Sequence, residues 1–182
     1  FKMGCMLAYG QSYAMTCDPD DQLANQQSMN EHNWYCGDVH VRGEYPYFAK
    51  RLWKELGVEI RMEPEDAETL KKGVVDFYTF SYYMTSCVTT HKDVEGIGGN
   101  LLGGVKNPYL KASDWGWQID PKGLRYALNE IYGRYQIPLM VVENGLGAYD
   151  EKGEDGVVHD SYRIDYLRSH IEQMAEAVKD GV

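Results

Sequence analysis

Three short apolar runs, spaced by helical patterns, constrain this chain more than any other feature. Met3–Tyr9, Val74–Met84 and Leu139–Val142 are each rich in β-branched, aromatic or sulfur-bearing residues, and each ends near polar residues or glycine. Unbroken apolar character over so short a span marks a strand covered on both faces, since a half-solvated strand alternates. Helical stretches fill the intervals. The order strand, helix, strand, helix, strand, helix implies an α/β fold with a parallel sheet, because parallel neighbours need crossover connections and helices supply them.

The helices carry their own end signals. CDPDDQLANQQSMNEHNWY, 17–35, offers Asp18 as N-cap, Pro19 at the first helical position and acids in the first turn, where the positive end of the helix dipole favours them. PYFAKRLWKELG, 46–57, starts at Pro46, places Phe48, Leu52, Trp53 and Leu56 on one face and stops at Gly57. EPEDAETLKKG, 63–73, is again opened by proline and closed by glycine. DPKGLRYALNEIYGRY, 120–135, repeats Leu124, Leu128 and Ile131 at helical spacing, with Gly123 and Gly133 weakening its ends. DSYRIDYLRSHIEQMAEAVKDG, 160–181, has Asp160 as a cap and Leu167, Ile171, Met174 and Val178 as one apolar stripe.

From Ser86 to Gln118 no period holds, and Gly96, Gly98, Gly99, Gly103 and Gly104 fall within that stretch. A loop so long in a compact domain is expected to be functional or mobile rather than a plain connector. No repeat, low-complexity tract or linker divides the chain, so residues 1–182 read as a single domain, within the usual range of roughly 100–200 residues.

Charge and composition narrow the function. A net charge of −10 argues against nucleic acid as a partner, because phosphate binding needs clustered Lys and Arg. No apolar run approaches the length of a membrane span and no signal peptide opens the chain, which begins inside the run FKMGCMLAY without an initiator Met. The four cysteines, Cys5, Cys17, Cys36 and Cys87, form neither a CxxC pair nor a regular framework, so reduced thiols in a cytoplasmic protein are expected. With 15 Tyr and 4 Trp against 4 Phe, the rings have polar edges and suit a surface that stacks and hydrogen-bonds together.

In parallel α/β proteins catalytic groups collect at the carboxyl ends of strands. Two such ends are loaded here: Ser81-Tyr82-Tyr83-Met84-Thr85 and Glu143-Asn144-Gly145. A carboxylate leaving a buried strand beside hydroxyls from its neighbour has what it needs to stay ionised and aimed. Taken alone, Glu143 reads equally well as a cap for the following loop. Tyr82 and Tyr83 face opposite ways if extended, and Tyr82 is the one expected in the core. Trp115 and Trp117, if extended, share a face and on their own would be core packing.

The motifs VVENGLGAYD, FSYYMTS, SDWGWQIDPKGLRYAL and DGVVHDSYRIDYLRSHI, in that company, closely resemble the C-terminal half of glycoside hydrolase family 1, and DVHVRGEYP fits the same family between its fifth and sixth strands. The resemblance is strongest to the 6-phospho-β-glucosidase branch. It implies a (β/α)8 barrel of which this chain is a part, strands five to seven with their helices, lacking strands one to four and eight, since a whole barrel takes roughly 250 residues or more. It also implies retaining hydrolysis of 6-phospho-β-D-glucosides, of the kind imported by phosphotransferase systems, through a covalent glycosyl-enzyme, with no metal and no cofactor.

By resemblance Glu143 matches the nucleophile and Tyr83 the residue that donates a hydrogen bond to it. Ser81 stands where many members have Asn, a replacement typical of the phospho-glucosidase branch. Trp117 matches the tryptophan lining the sugar site, and Trp115 lies on the loop approaching it. The family's acid/base glutamate, which follows an Asn at the end of strand four, has no match: Asn30-Glu31 falls in a surface helix and Asn129-Glu130 in mid-helix. The sugar-binding Gln, His and Trp, the Arg beside the nucleophile and the Ser, Lys and Tyr of the phosphate pocket are likewise unmatched. The chain on its own is therefore expected to be inactive, as loss of a general acid typically costs about 10²–10⁴ in rate.

Competing assignments are a 6-phospho-β-galactosidase, disfavoured by Gly116 between the tryptophans and by Ser81, and a non-catalytic half-barrel that binds sugar or assembles through exposed sheet edges. His32, Cys36 and His40 have the i, i+4 spacing of metal ligands, but Gly37 and Asp38 suggest that the helix ends before His40. DEKGEDG, 150–156, has its glycine at the seventh position and no Glu at the twelfth, so it reads as a turn rather than a calcium loop. Lys106 and Lys111 read as solvated surface rather than a phosphate grip.

Overall fold

The computed structural model describes residues 1–98 and 103–182; Gly99 of the glycine-rich stretch lies outside them. Three strands, β1 (Gly4–Leu7), β3 (Phe77–Tyr82) and β5 (Leu139–Asn144), form a parallel sheet in the order β1-β3-β5. Each is followed by helix, as the alternation required. The second apolar run supplies a shorter strand than its length suggests, because Val74 and Val75 lie ahead of it in the connection.

A second parallel pair, β2 (Ser12–Ala14) with β4 (Ser86–Val88), extends the chain beyond β1 and β3 and has no apolar run to announce it. Beyond β4 the irregular stretch is tied down by antiparallel bridges, Cys87 to Val105, Gly96 to Val105 and Ala112 to Gln118.

The first helix is longer than its sequence signals suggest. α1 (Pro19–Met29) passes through a π-helical turn, Asn30–Trp34, into α2 (Tyr35–Arg42), which ends at Gly43 in the left-handed conformation. His40 is thus helical, contrary to expectation. Gly37 and Asp38 act here as contact residues with α5 (Pro121–Tyr135) rather than as breakers. A Cβ on Gly37 would stand 2.2 Å from the Tyr135 hydroxyl, and buried Asp38 accepts from Arg134 at 2.9 and 2.7 Å and from Tyr135 at 2.9 Å. Among the described residues, no three His, Cys, Asp or Glu side chains group closely enough to hold a metal ion.

α3 (Ala49–Leu56) and α4 (Asp66–Lys72) complete the first crossover, both closed by glycine as expected, although Leu56 of the α3 face is exposed. The core lies between the sheet and α5. Tyr78, Phe80 and Tyr82 of β3 meet Leu124, Ala127, Leu128 and Ile131 of α5, with Cys5, Tyr9, Trp34 and Tyr135 around them. A side chain such as Phe80 or Ile131, each 0% exposed, contributes about 1.5–3 kcal/mol by its burial.

α6 (Ser161–Asp180) follows β5. The stripe Leu167, Ile171, Met174 and Val178 is 41–63% exposed, and the side turned into the protein carries Tyr166, His170 and Ala177. The cause is position: α6 follows β5, an edge strand, so its apolar stripe overhangs the side where the described residues supply no fourth strand.

Candidate active site

The carboxyl ends of β3 and β5 meet at Glu143, and an irregularity in the strand pairing decides which way it points. Tyr78, Thr79 and Phe80 pair with Leu139, Met140 and Val141; the register then skips Val142, so that Ser81 pairs with Glu143 and Tyr82 with Asn144. Paired residues on parallel strands face the same side, and one inserted residue reverses the side for all that follow. Without the bulge Glu143 would face the helices beside Tyr82. With it, Glu143 joins Ser81 on the open face and Asn144 turns inward.

Two hydroxyls then fix the carboxylate. Ser81 Oγ and Tyr83 Oη both donate to Glu143 Oε2 at 2.6 Å. Those bonds, Ser81's first and Tyr83's second, hold the Glu143 carboxyl below its ordinary pKa, because they stabilise the charged form. In return, the hydrogen bond to Glu143 raises the Tyr83 pKa and keeps the phenol protonated. One oxygen is anchored while Oε1 has no such tie among the described residues, a suitable state for a nucleophile.

Aromatic rings border this carboxylate. Trp117 meets Tyr83 edge-on at 5.6 Å, and Trp115 meets Trp117 at 6.0 Å and 80°. The two tryptophans do not lie on an extended segment as their spacing allowed. Residues 113–117 form a turn in which Ser113 N donates to Trp117 O and Gly116 adopts φ +80°, which favours glycine. Trp115 remains 39% exposed, while the indole Nε1 of Trp117 is buried without a partner among the described residues.

The segment after Glu143 is built to pass under these rings. A Cβ on Gly147 would fall 2.4 Å from the Trp115 ring, and Gly147 O accepts from Ser113 Oγ at 2.5 Å. Arg163 of α6 clamps the same segment by pairing with Asp150 at 2.5 Å and donating to Leu146 O at 3.2 Å. At the other flank, Asp120 accepts from Tyr13, Thr85 and Gly123 N, and its carbonyl accepts from Tyr82 at 2.6 Å.

All five residues singled out in the sequence, Ser81, Tyr83, Trp115, Trp117 and Glu143, therefore come together. The rejected Asn-Glu pairs do not join them: Asn30 and Glu31 line a shallow hollow with Phe48 and Arg51, and Asn129 is bonded to Arg125 O and Asp180. Lys106 is paired with Glu95 at 3.0 Å, and residues 150–156 make a turn closed by the Lys152 to Val158 bridge. Sequence reasoning named Asn144 only as part of a loaded strand end and missed Tyr166, Asp120 and Arg163. Asp120 carried the Asp-Pro start of a helix as a signal; Tyr166 and Arg163 act through contacts between distant elements.

The whole chain, residues 1–182, matches Glycosyl hydrolase family 1. It belongs to that family. The family 1 chain is 53% identical to a 6-phospho-β-glucosidase of Clostridium longisporum and 51% identical to an aryl-phospho-β-D-glucosidase of Bacillus subtilis; each alignment covers 100% of this chain and 39% of the relative. A 6-phospho-β-galactosidase of Clostridium acetobutylicum is more distant, 30% identical over 93% of the chain. Among solved structures, a family 1 β-glucosidase from Thermotoga maritima superposes with a TM-score of 0.80 at 26% identity, over 100% of this chain and 39% of that one. The chain thus spans about two fifths of the length of these relatives, and its three strand–helix units are part of a (β/α)8 barrel.

Proposed function

We propose that this chain is the nucleophile-bearing part of a retaining β-glycosidase that hydrolyses 6-phospho-β-D-glucosides. The observation that carries the reading is the shared anchoring of Glu143 Oε2 by Ser81 and Tyr83. In this reading Oε1 attacks the anomeric carbon, the glycosyl-oxygen bond breaks, and a glycosyl-enzyme forms. A second carboxylate, about 5–5.5 Å away, protonates the leaving oxygen and then deprotonates the water that releases the sugar. Trp117 and Trp115 offer aromatic faces to the apolar side of the ring, and Tyr83 keeps its proton to steady Glu143.

Residues 1–182 are then one partial domain, equivalent to strands five to seven of the barrel. The acid/base carboxylate and the phosphate-binding groups come from strands one to four and eight, outside these residues, so the isolated chain has no turnover. The gluco assignment is supported by the names of the relatives, phospho-glucosidases at 53% and 51% identity against 30% for the phospho-galactosidase. A phosphorylated substrate suits a cytoplasmic enzyme. Among the described residues no helix is long and apolar enough to cross a membrane.

The test uses the full-length protein that contains this chain, an aryl 6-phospho-β-glucoside, and NMR of the first sugar released. The β anomer appearing first is the expected result. Release of the α anomer first, or hydrolysis of only unphosphorylated glucosides, would overturn the mechanism or the substrate class respectively.

A further inference from the structure

Behind the sheet, on the side away from Trp115 and Trp117, a single hydroxyl reaches both strands that form the site. Tyr166 of α6 is 2% exposed. Its Oη donates to the main-chain O of Tyr83 at 2.6 Å and accepts from Asn144 Nδ2 at 3.1 Å; the same Nδ2 donates to Tyr82 O at 2.8 Å. Tyr83 supplies the phenol bonded to Glu143, and Asn144 is the residue directly after Glu143.

We propose that Tyr166 is a positioning residue for the Glu143–Tyr83 pair. This inference rests on Glu143 being the nucleophile. The bulge that turns Glu143 outward is the same one that turns Asn144 inward to meet Tyr166, so one register shift sets both bonds. Ladder pairing is weakest at a bulge. There Tyr166 ties the end of β3 to the end of β5 through side chains, with burial excluding water as a substitute partner.

The ring of Tyr166 is itself held. His170 lies 3.9 Å from it between ring centroids, is 1% exposed, and its Nδ1 is bonded to Tyr166 O at 2.7 Å. Burial lowers the His170 pKa, so this partner stays neutral in the working range. The titratable groups facing Tyr166 are Tyr82 and Tyr83 from the end of β3, Asp120 from the start of α5, and His170 on its own helix. Among them Tyr83 alone also touches Glu143.

A purely structural staple and a positioning residue differ in what they change. In the full-length protein, Tyr166→Phe keeps the packed ring and removes the hydroxyl. The expected outcome is a kcat lower by about 10-fold to 100-fold, since small misplacements of reacting groups cost that much, with KM within about twofold. The acid limb of kcat/KM should also move to higher pH, because a loosened Tyr83 no longer holds the Glu143 pKa down. A lower melting temperature with kcat and the acid limb unchanged would overturn the proposal. If the variant does not fold, 2,3-difluorotyrosine at 166 keeps the size and alters the hydrogen bonds; an unmoved acid limb there overturns it equally. Wild-type protein without turnover of any phosphorylated β-glycoside would instead remove the assignment of Glu143, and this inference with it.

Discussion

Phe80 and Ser81 are neighbours on β3, yet one is sealed against α5 and the other holds a carboxylate in the open. The two faces of the sheet divide the work of the molecule. Towards the helices, Tyr78, Phe80 and Tyr82 interlock with Leu124, Leu128 and Ile131 and supply a core from this chain alone. On the other face Met6, Met140 and Val142 remain exposed. The first face stabilises; the second presents Glu143, and its exposed apolar residues have no cover among the described residues. Period-2 alternation makes such a division possible, because adjacent residues on one strand enter different environments.

The largest test of this contrast is Glu143→Gln in the full-length protein. Turnover should fall by more than about 10³-fold while the melting temperature holds, as the proposed nucleophile role of Glu143 requires. Equal losses of melting temperature and activity would mean that the open face also carries the fold. Phe80→Ala, one residue from the site, should do the reverse. Urea unfolding is expected to show a loss of about 3–5 kcal/mol, with the kcat of the protein that remains folded near wild type.

Tyr83→Phe should lower kcat/KM by about 10-fold to 100-fold, as removal of a hydrogen bond to a charged group does. It also tests the pH sign. The Glu143 pKa is depressed by Ser81 and Tyr83, so loss of Tyr83 raises it, and the acid limb of the rate profile shifts to higher pH. An acid limb that stays in place would detach Tyr83 from Glu143, the proposed nucleophile. The smallest effect belongs to the overhanging stripe of α6. In the 182-residue chain, Ile171→Ala should change urea stability by no more than about 0.5 kcal/mol. A loss of about 2 kcal/mol or more would mean that a second copy covers the stripe, the self-association that exposed strand edges at β1 and β5 favour.

α5 and α6 show how far sequence reading reached. Both carry apolar residues at helical spacing. Leu124, Leu128 and Ile131 are buried because α5 lies over the central strand, whereas the α6 stripe lies beyond an edge strand and stays exposed. Periodicity reports that a helix has an apolar side but is silent on what that side meets. Likewise Gly37 and Asp38 looked like a helix end by propensity, and contacts with Tyr135 and Arg134, nearly a hundred residues on, kept the helix going. The site fared better. Ser81, Tyr83 and Glu143 sit at the ends of two strands whose apolar runs are plain in the sequence, Trp115 and Trp117 come from the turn at 113–117, and the motifs point to the family that the match over residues 1–182 establishes.

Residue order by itself determined the alternation of strands and helices, the parallel sheet, and the arrival of Glu143 and Tyr83 at neighbouring strand ends. Tertiary structure decided the direction of the carboxylate. A regular strand after Val141 would turn Glu143 towards the helices, and only the pairing of β5 with β3 reveals that Val142 is passed over. A one-residue register shift leaves no trace in local composition or period, yet it reverses every side chain beyond it. That shift sets Glu143 before Ser81 and Tyr83, and Asn144 before Tyr166.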